Sequence, residues 1–446
     1  MPCPKLDLTE YKELLKTLDP LRAWGRVSRL VGFTLESQGP PAQIGELCLL
    51  SPTNSDPTYA EVVGFRDRHL LLMPIGDLAG IAPGTRVEAT GQPLMVAVGP
   101  ELKGRVLDGL GRVMDGGPPL TGDVMYPLKA QAPHPLRRQR ISKQLALGLK
   151  VVDGLIACGQ GQRLGIFAGS GVGKSTLLGM MAKNTTADIN VVALIGERGR
   201  EVREFLDNSL GSEGLARSVV VVATSDQPPL LRVKGAFTAI SIAEYFRDQG
   251  LNVLLMMDSV TRLAMAQREI GLAIGEPPTT KGYTPSVFAL LPQLLERAGA
   301  AERGTITGLF TVLVDGDDLL DPIADAVRSI LDGHIVLTRR LASRNHYPAV
   351  DVLQSVSRVM PDVVSAEQLK LAQQAREVLA VYQEAEDLIN VGAYVAGSNP
   401  AIDRARLLIE PLHAFLQQEV DESYSLAQTR RLLVQALQEQ NTRGTM

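Results

Sequence analysis

The sequence predicts an α/β protein: a parallel sheet at the centre, a small β-barrel before it and a helical domain after it. Three stretches of differing texture carry this reading. Between about residues 97 and 360, five continuous apolar runs alternate with helical stretches such as 176–183 and 238–249. The runs are "RLGIFAG", "NVVALIG", "SVVVVAT", "NVLLMMD" and "GLFTVLVDG". Strands that are apolar on both faces belong in a parallel sheet covered on both sides. From about 24 to 96 the runs are shorter or alternating, as in "GRVSRLVGFTLES", "GELCLL", "AEVVGFRDRHLLLMPI" and "GTRVEAT". Turn signals at Gly39-Pro40-Pro41 and Pro83-Gly84 separate them, the pattern of a small barrel or sandwich. From 361 to 446 the chain is rich in Ala, Leu, Glu and Gln and reads as helical.

The first element lies before the barrel, in residues 1–23. Leu8, Tyr11, Leu15 and Leu18 form a stripe at helical spacing, widened by Leu14 and Leu21. Asp7 followed by Glu10 has the form of a capping box, and Pro20 stops the pattern. Two readings stand: a helix packed on its own domain, or a docking helix for a partner.

Composition narrows the function classes. The 446 residues allow about three domains at ~150 residues each. They are 45% hydrophobic and 21% charged, enough to build a sizeable core. The net charge of -4 offers no global basic field, so a nucleic-acid partner is not expected. Cysteines at 3, 48 and 158 fit no metal motif, and their odd count argues against a disulfide framework. A reducing, cytoplasmic setting is expected. The N-terminus lacks the apolar segment of a signal peptide, and no run of about 18 apolar residues would span a membrane.

The chemistry is concentrated in "GIFAGSGVGKSTLLGMM", residues 165–181. A phosphate-binding loop has the pattern G-x-x-x-x-G-K-[ST] between a strand and a helix. Here Ala168 takes the first glycine's place, and small residues still fill the turn through Gly169, Ser170, Gly171, Val172 and Gly173. Backbone N–H groups of the loop and of the helix start, up to Thr176, would face the phosphates of a nucleotide. Lys174 would reach the β- and γ-phosphates, and Ser175 would ligate Mg²⁺. Asp258 closes the apolar run "NVLLMMD", where a strand's C-terminal end supplies a second Mg²⁺ anchor. Glu197 and Arg198 end another run in "LIGERGREV". A carboxylate there would polarise a water against the γ-phosphate; the alternative is a surface Glu–Arg pair.

These motifs come in a recognisable order: "GSGVGKS", "IGERGREV", "EYFRDQG", "VLLMMDS", "GEPPTTKGYTPS", "VDGDDLLDPIAD" and "HYPAVDVLQSVSR". From about Gly104 to Arg358 the chain resembles the nucleotide-binding subunits of rotary F-type and V-type ATPases. Within that group it is most similar to the type III protein-export ATPases, with the flagellar branch first and the injectisome branch second. The resemblance implies a RecA-like P-loop core, ATP with Mg²⁺ as ligands, and domains at 24–96, 97–360 and 361–446. It implies that Lys174 and Ser175 bind phosphate and metal, that Glu197 is the catalytic glutamate with Arg198 beside it, and that Asp258 holds Mg²⁺. Arg358 in "SVSR" matches an arginine finger that reaches a neighbour's nucleotide, and Tyr347 matches the aromatic that stacks on adenine.

One chain carrying both Glu197 and Arg358 suits a head-to-tail homohexamer. The resemblance further implies a cytoplasmic ATPase held peripherally at the inner-membrane export gate, where it frees export substrates from chaperones. A stator-like regulatory protein would bind the N-terminal helix. "VDGDDLLDPIAD" would face a central stalk protein through Asp315, Asp317, Asp318 and Asp321, unless it is a solvated turn in which Asp321 caps the next helix. The rival readings are a rotary-ATPase catalytic subunit, a ring helicase and a non-catalytic nucleotide-binding scaffold.

Overall fold

The computed structural model describes residues 23–438 apart from 54, 77, 121, 123 and 315–320. The stripe from Leu8 to Leu21 and the acidic residues Asp315, Asp317 and Asp318 lie outside them. The chain divides into two compact units between Leu94 and Met95, with Ala273–Gly275 grouped with the first.

The first unit is a closed antiparallel barrel. Its strands are β1 (Trp24–Val31), β2 (Thr34–Gln38), β3 (Glu46–Ser51), β4 (Thr58–Arg66), β5 (His69–Pro74) and β6 (Arg86–Pro93). They follow the order β1-β2-β5-β4-β3-β6, and β1 closes the ring by pairing with β6. Strand alternation fills the interior: Cys48 and Leu50 of β3 and Leu70 and Leu72 of β5 meet Val27, Leu35, Val62 and Val87. Burial pushes the Cys48 thiol up to about 12, with Glu46 adding to the shift, so it behaves as a small hydrophobe.

The second unit is built on a large sheet. Its strands are β7 (Val106–Asp108), β8 (Arg163–Ala168), β9 (Ile189–Ile195), β10 (Ser218–Ala223), β11 (Asn252–Asp258), β12 (Thr305–Leu313), β13 (Gly333–Leu337) and β14 (Val350–Ser357). They stand in the order β14-β13-β8-β12-β11-β9-β10-β7, and the short strand Gly299–Ala300 pairs with β12 off this path. All neighbours on the main path are parallel except β13 and β14. The five apolar runs of the sequence are β8 to β12. β14, the antiparallel edge strand, carries the "VDVLQSVS" of the last motif and ends just before Arg358.

Helices α1 (Lys174–Asn184), α2 (Pro229–Asp248), α3 (Val260–Ile274) and α4 (Pro322–Ile330) connect the strands. α1 buries Leu177, Leu178, Met180 and Met181, a helical i, i+1, i+3, i+4 face, in the core under the sheet. Burying each such side chain contributes about 1.5–3 kcal/mol. Arg297 is fully buried; its guanidinium donates to both oxygens of Glu244 on α2 at 2.9 and 2.5 Å, and to the Leu128 carbonyl at 2.6 Å.

The C-terminal region is helical, with α5 (Ala366–Asn390), α6 (Pro400–Leu416) and α7 (Leu426–Leu437). Ser365, Asn399 and Ser425 cap their N-termini, and Ser425 forms a full capping box with Gln428. Leu408, Leu412, Phe415 and Leu433 join one apolar core with Val350, Val352 and the sheet. Asp321 caps α4, accepting from the Ile323 N–H at 2.9 Å.

Candidate active site

Parallel strands deliver their C-terminal ends to one edge of the sheet, and the site is built along it. β8 ends at Ala168, which pairs with Leu313 of β12 and Leu337 of β13 and is fully buried. The first position of the phosphate-loop pattern is therefore still strand in this chain, and it needs no left-handed backbone. The loop turns where glycine is required, at Gly171 (φ 77°) and Gly173 (φ 86°), and Gly173 immediately precedes α1.

Lys174 is held between two carboxylates. Its Nζ lies 2.5 Å from Asp258 Oδ1 and 3.8 Å from Glu197 Oε1. All three side chains are largely buried. One strand, β12, stands between β8 and β11, and its Thr311 hydroxyl donates to Asp258 Oδ1 at 2.7 Å. Glu197 follows β9 across Gly196 (φ 72°), where a Cβ would come 2.8 Å from the side chain of Arg262. That close approach lets Arg262, in the first turn of α3, donate from Nε to Glu197 Oε1 at 3.1 Å.

Burial pushes the Glu197 carboxyl up to about 7. A hydrogen bond with Glu201 and the charge of Asp258 act in the same direction, while Lys174 and Arg262 oppose it. The shared bond holds Glu201 below its ordinary value, so Glu197 is the partner that keeps its proton longer. A carboxylate poised near neutrality beside a phosphate loop suits a general base.

Tyr347 stands at the other side of the loop. Its ring would lie 3.5 Å from a Cβ placed at Gly173, and it lines a cavity of about 520 Å³ with Gly171, Val172, Thr176 and Pro348. Residues 417–420, which follow α6, also line the cavity. Gln418 ties that segment in place: its backbone N–H donates to the Tyr347 carbonyl at 3.0 Å and its side-chain amide to the Gly148 carbonyl at 2.9 Å.

The donor set fits a nucleotide with its own magnesium. Ser175 and Asp258 offer hard oxygens, and Mg²⁺ commonly takes one or two such ligands together with phosphate oxygens and water. No cluster of three or more His, Cys, Asp or Glu that would hold a metal by itself exists among the described residues.

Two expected residues stand apart. Arg198 is exposed and meets Glu201 at 3.6 Å rather than the Lys174–Asp258 pair. Arg358 is exposed at the opposite edge of the sheet. The antiparallel pairing sets Leu337 against Val350 near the phosphate loop and Gly333 against Ser357 at the far end. Those ends are about 13 Å apart at ~3.3 Å per residue. Three other residues at the site, Arg262, Thr311 and Glu201, escaped the sequence reading. Arg262 follows Asp258 by four residues in "DSVTR", a spacing that carries no signal until Gly196 is known to face it.

A phosphate loop at the C-terminal edge of such a sheet, with a barrel before it and helices after it, defines a nucleotide-binding subunit of the rotary-ATPase type. The ATP synthase alpha/beta family's nucleotide-binding domain matches residues 148–357 and its beta-barrel domain 27–91, while the T3SS EscN ATPase C-terminal domain matches 364–435. The flagellum-specific ATP synthase of Bacillus subtilis is 56% identical over 92% of this chain and 94% of its own length. The type 3 secretion system ATPase of Xanthomonas euvesicatoria is 51% identical over 96% of this chain and 97% of its own. The assembled ATPase EscN of the enteropathogenic E. coli type III secretion system superposes with a TM-score of 0.88 at 46% identity, covering 93% of this chain and 100% of that one. The same ATPase in complex with its central stalk EscO gives a TM-score of 0.86 at 46% identity, with the same coverage. The chain belongs to the family of flagellum-specific ATP synthases and type III secretion ATPases.

Proposed function

We propose that this ATPase works as a head-to-tail homohexamer in which each active site is completed by the neighbouring subunit. The observation that carries this is the placing of Glu197 and Arg358 at opposite edges of one sheet. A subunit cannot bring its own Arg358 to its own phosphate loop, but in a closed ring it presents Arg358 to the next. The assembled relative supports a ring.

The parts divide the chemistry. Tyr347 holds the adenine, and the loop N–H groups with Lys174 hold the β- and γ-phosphates. Ser175 and Asp258 would hold Mg²⁺, which supplies charge neutralisation at the phosphates. Glu197 orients a water and takes its proton as the water oxygen bonds to the γ-phosphorus. The bond from that phosphorus to the β–γ bridging oxygen breaks, leaving ADP and phosphate. Arg262 keeps the Glu197 carboxylate aimed, and the neighbour's Arg358 meets the charge on the transferring phosphoryl group.

The cellular task is export through a flagellar type III apparatus. The ATPase sits in the cytoplasm against the membrane export gate and frees substrates from chaperones. A central stalk protein occupies the pore, as the stalk-bound relative supports, and a stator-like protein engages the N-terminal stripe. No helix among the described residues is long and apolar enough to cross a membrane. An injectisome role is the second reading, favoured by the match of residues 364–435 to the EscN C-terminal domain.

Specific activity measured against protein concentration tests the ring. It should rise steeply as subunits assemble; activity that stays constant down to concentrations where sizing shows monomer rejects the shared site. Restoring motility to a strain without its flagellar ATPase, but not secretion to one without its injectisome ATPase, separates the two export roles.

A further inference from the structure

At the far end of the strand that feeds the phosphate loop lies a fully buried amide. Gln162 immediately precedes β8 and has no exposed surface. Its Nε2 donates to Ser357 Oγ at 3.0 Å and to the Asp332 carbonyl at 3.2 Å, and its Oε1 accepts from the Gly159 N–H at 2.8 Å. The Asp332 carbonyl also accepts the backbone N–H of Arg358 at 3.0 Å. The Ser357 hydroxyl donates in turn to the Ala157 carbonyl at 2.7 Å. Next along β8, Arg163 holds the Asp332 carboxylate through its backbone N–H at 3.0 Å and Nε at 3.1 Å.

We infer that Gln162 is a positioning residue for Arg358. Burying an amide costs free energy unless every polar atom is paired, and a fully paired buried amide specifies one arrangement of the backbones it joins. Those backbones are the one that ends in Arg358, the turn at Asp332, and the start of β8. An exposed arginine on a long side chain reaches a neighbour's phosphate accurately only if its Cα is fixed, and Gln162 fixes the residue before it. β8 thus carries a subunit's own phosphate loop at one end and, at the other, the clamp on the arginine lent to the next subunit. The inference rests on the shared-site reading above.

The test uses Gln162→Met, which keeps the side chain's length and loses its hydrogen bonds, and Ser357→Ala, which removes a single hydroxyl. Both should form rings and bind ATP with unchanged affinity, while kcat falls by up to about 100-fold, the scale of a misplaced catalytic group. Mixed rings give a readout that a merely structural lesion would not move. Gln162→Met subunits have a sound phosphate loop and a misplaced finger. Mixed with Lys174→Ala subunits, whose finger is sound, they should regain activity; mixed with Arg358→Ala subunits they should not. Equal recovery with both partners, recovery with neither, or an unchanged kcat overturns the inference. Lys174→Ala mixed with Arg358→Ala is the control. If that mixture stays inactive despite subunit exchange, the shared site itself fails and the inference with it. If it recovers while Gln162→Met behaves symmetrically, only the role of Gln162 is lost.

Discussion

Lys174 Nζ sits 2.5 Å from Asp258 Oδ1, on an oxygen that also accepts the Thr311 hydroxyl. The cation that would hold phosphate and the carboxylate that would hold magnesium are neighbours before any ligand is considered, because β12 sets β8 and β11 one strand apart. Removing the cation leaves a buried carboxylate with a hydroxyl as its remaining donor among these contacts. Lys174→Ala should therefore abolish tight binding of Mg-ATP, measured by equilibrium binding of a fluorescent ATP analogue. Retained affinity and turnover would make the loop lysine dispensable.

Glu197→Gln is nearly isosteric but cannot accept a proton. Nucleotide binding and assembly should persist while phosphate release stops. Turnover by this variant would move the water-activating role to another group.

The pH dependence follows from the same residue. Glu197 must be ionised to act as a base, and burial holds its carboxyl near 7. Accordingly kcat/KM should fall as pH drops through about 7. Arg262 favours the ionised form, so Arg262→Ala should move this acid limb to higher pH; Glu201 raises Glu197 by hydrogen bonding, so Glu201→Gln should move it lower. An acid limb indifferent to both changes would belong to a different group.

Arg358→Ala should leave ATP affinity nearly intact and slow hydrolysis by ~10³–10⁵, the contribution of such fingers in P-loop enzymes. Single-turnover kinetics on assembled rings would show it. A variant with a raised Kd and normal kcat would place Arg358 in ground-state binding.

Stability rests partly on the Arg297–Glu244 pair. Truncating one partner strands a buried charge, a loss of about 3–5 kcal/mol. Glu244→Ala should lower the denaturant midpoint accordingly, whereas an exposed pair such as Arg203–Asp207 should cost ~0.5 kcal/mol or less when broken.

The sequence by itself determined the elements and the loop. Apolar runs with both faces buried become interior strands wherever they lie, and Gly171 and Gly173 specify a turn through backbone freedom that is local to them. The strands of the first unit were legible for the same reason, since alternation is a property of neighbouring residues, but that they close into a barrel and not a sandwich was decided by the pairing of β1 with β6. The helical C-terminal region likewise announced itself through its content of Ala, Leu, Glu and Gln, whereas the caps at Ser365 and Ser425 became visible only in the structure. Which strands become neighbours was decided only in three dimensions. A parallel sheet is ordered by long crossover connections, so nothing near Thr311 or Arg262 in the chain marks them as companions of Asp258 and Glu197. The same holds for Arg358. Its motif named a role, but the antiparallel run of β14 against β13 decided which edge it occupies, and that edge is the one its own phosphate loop does not share.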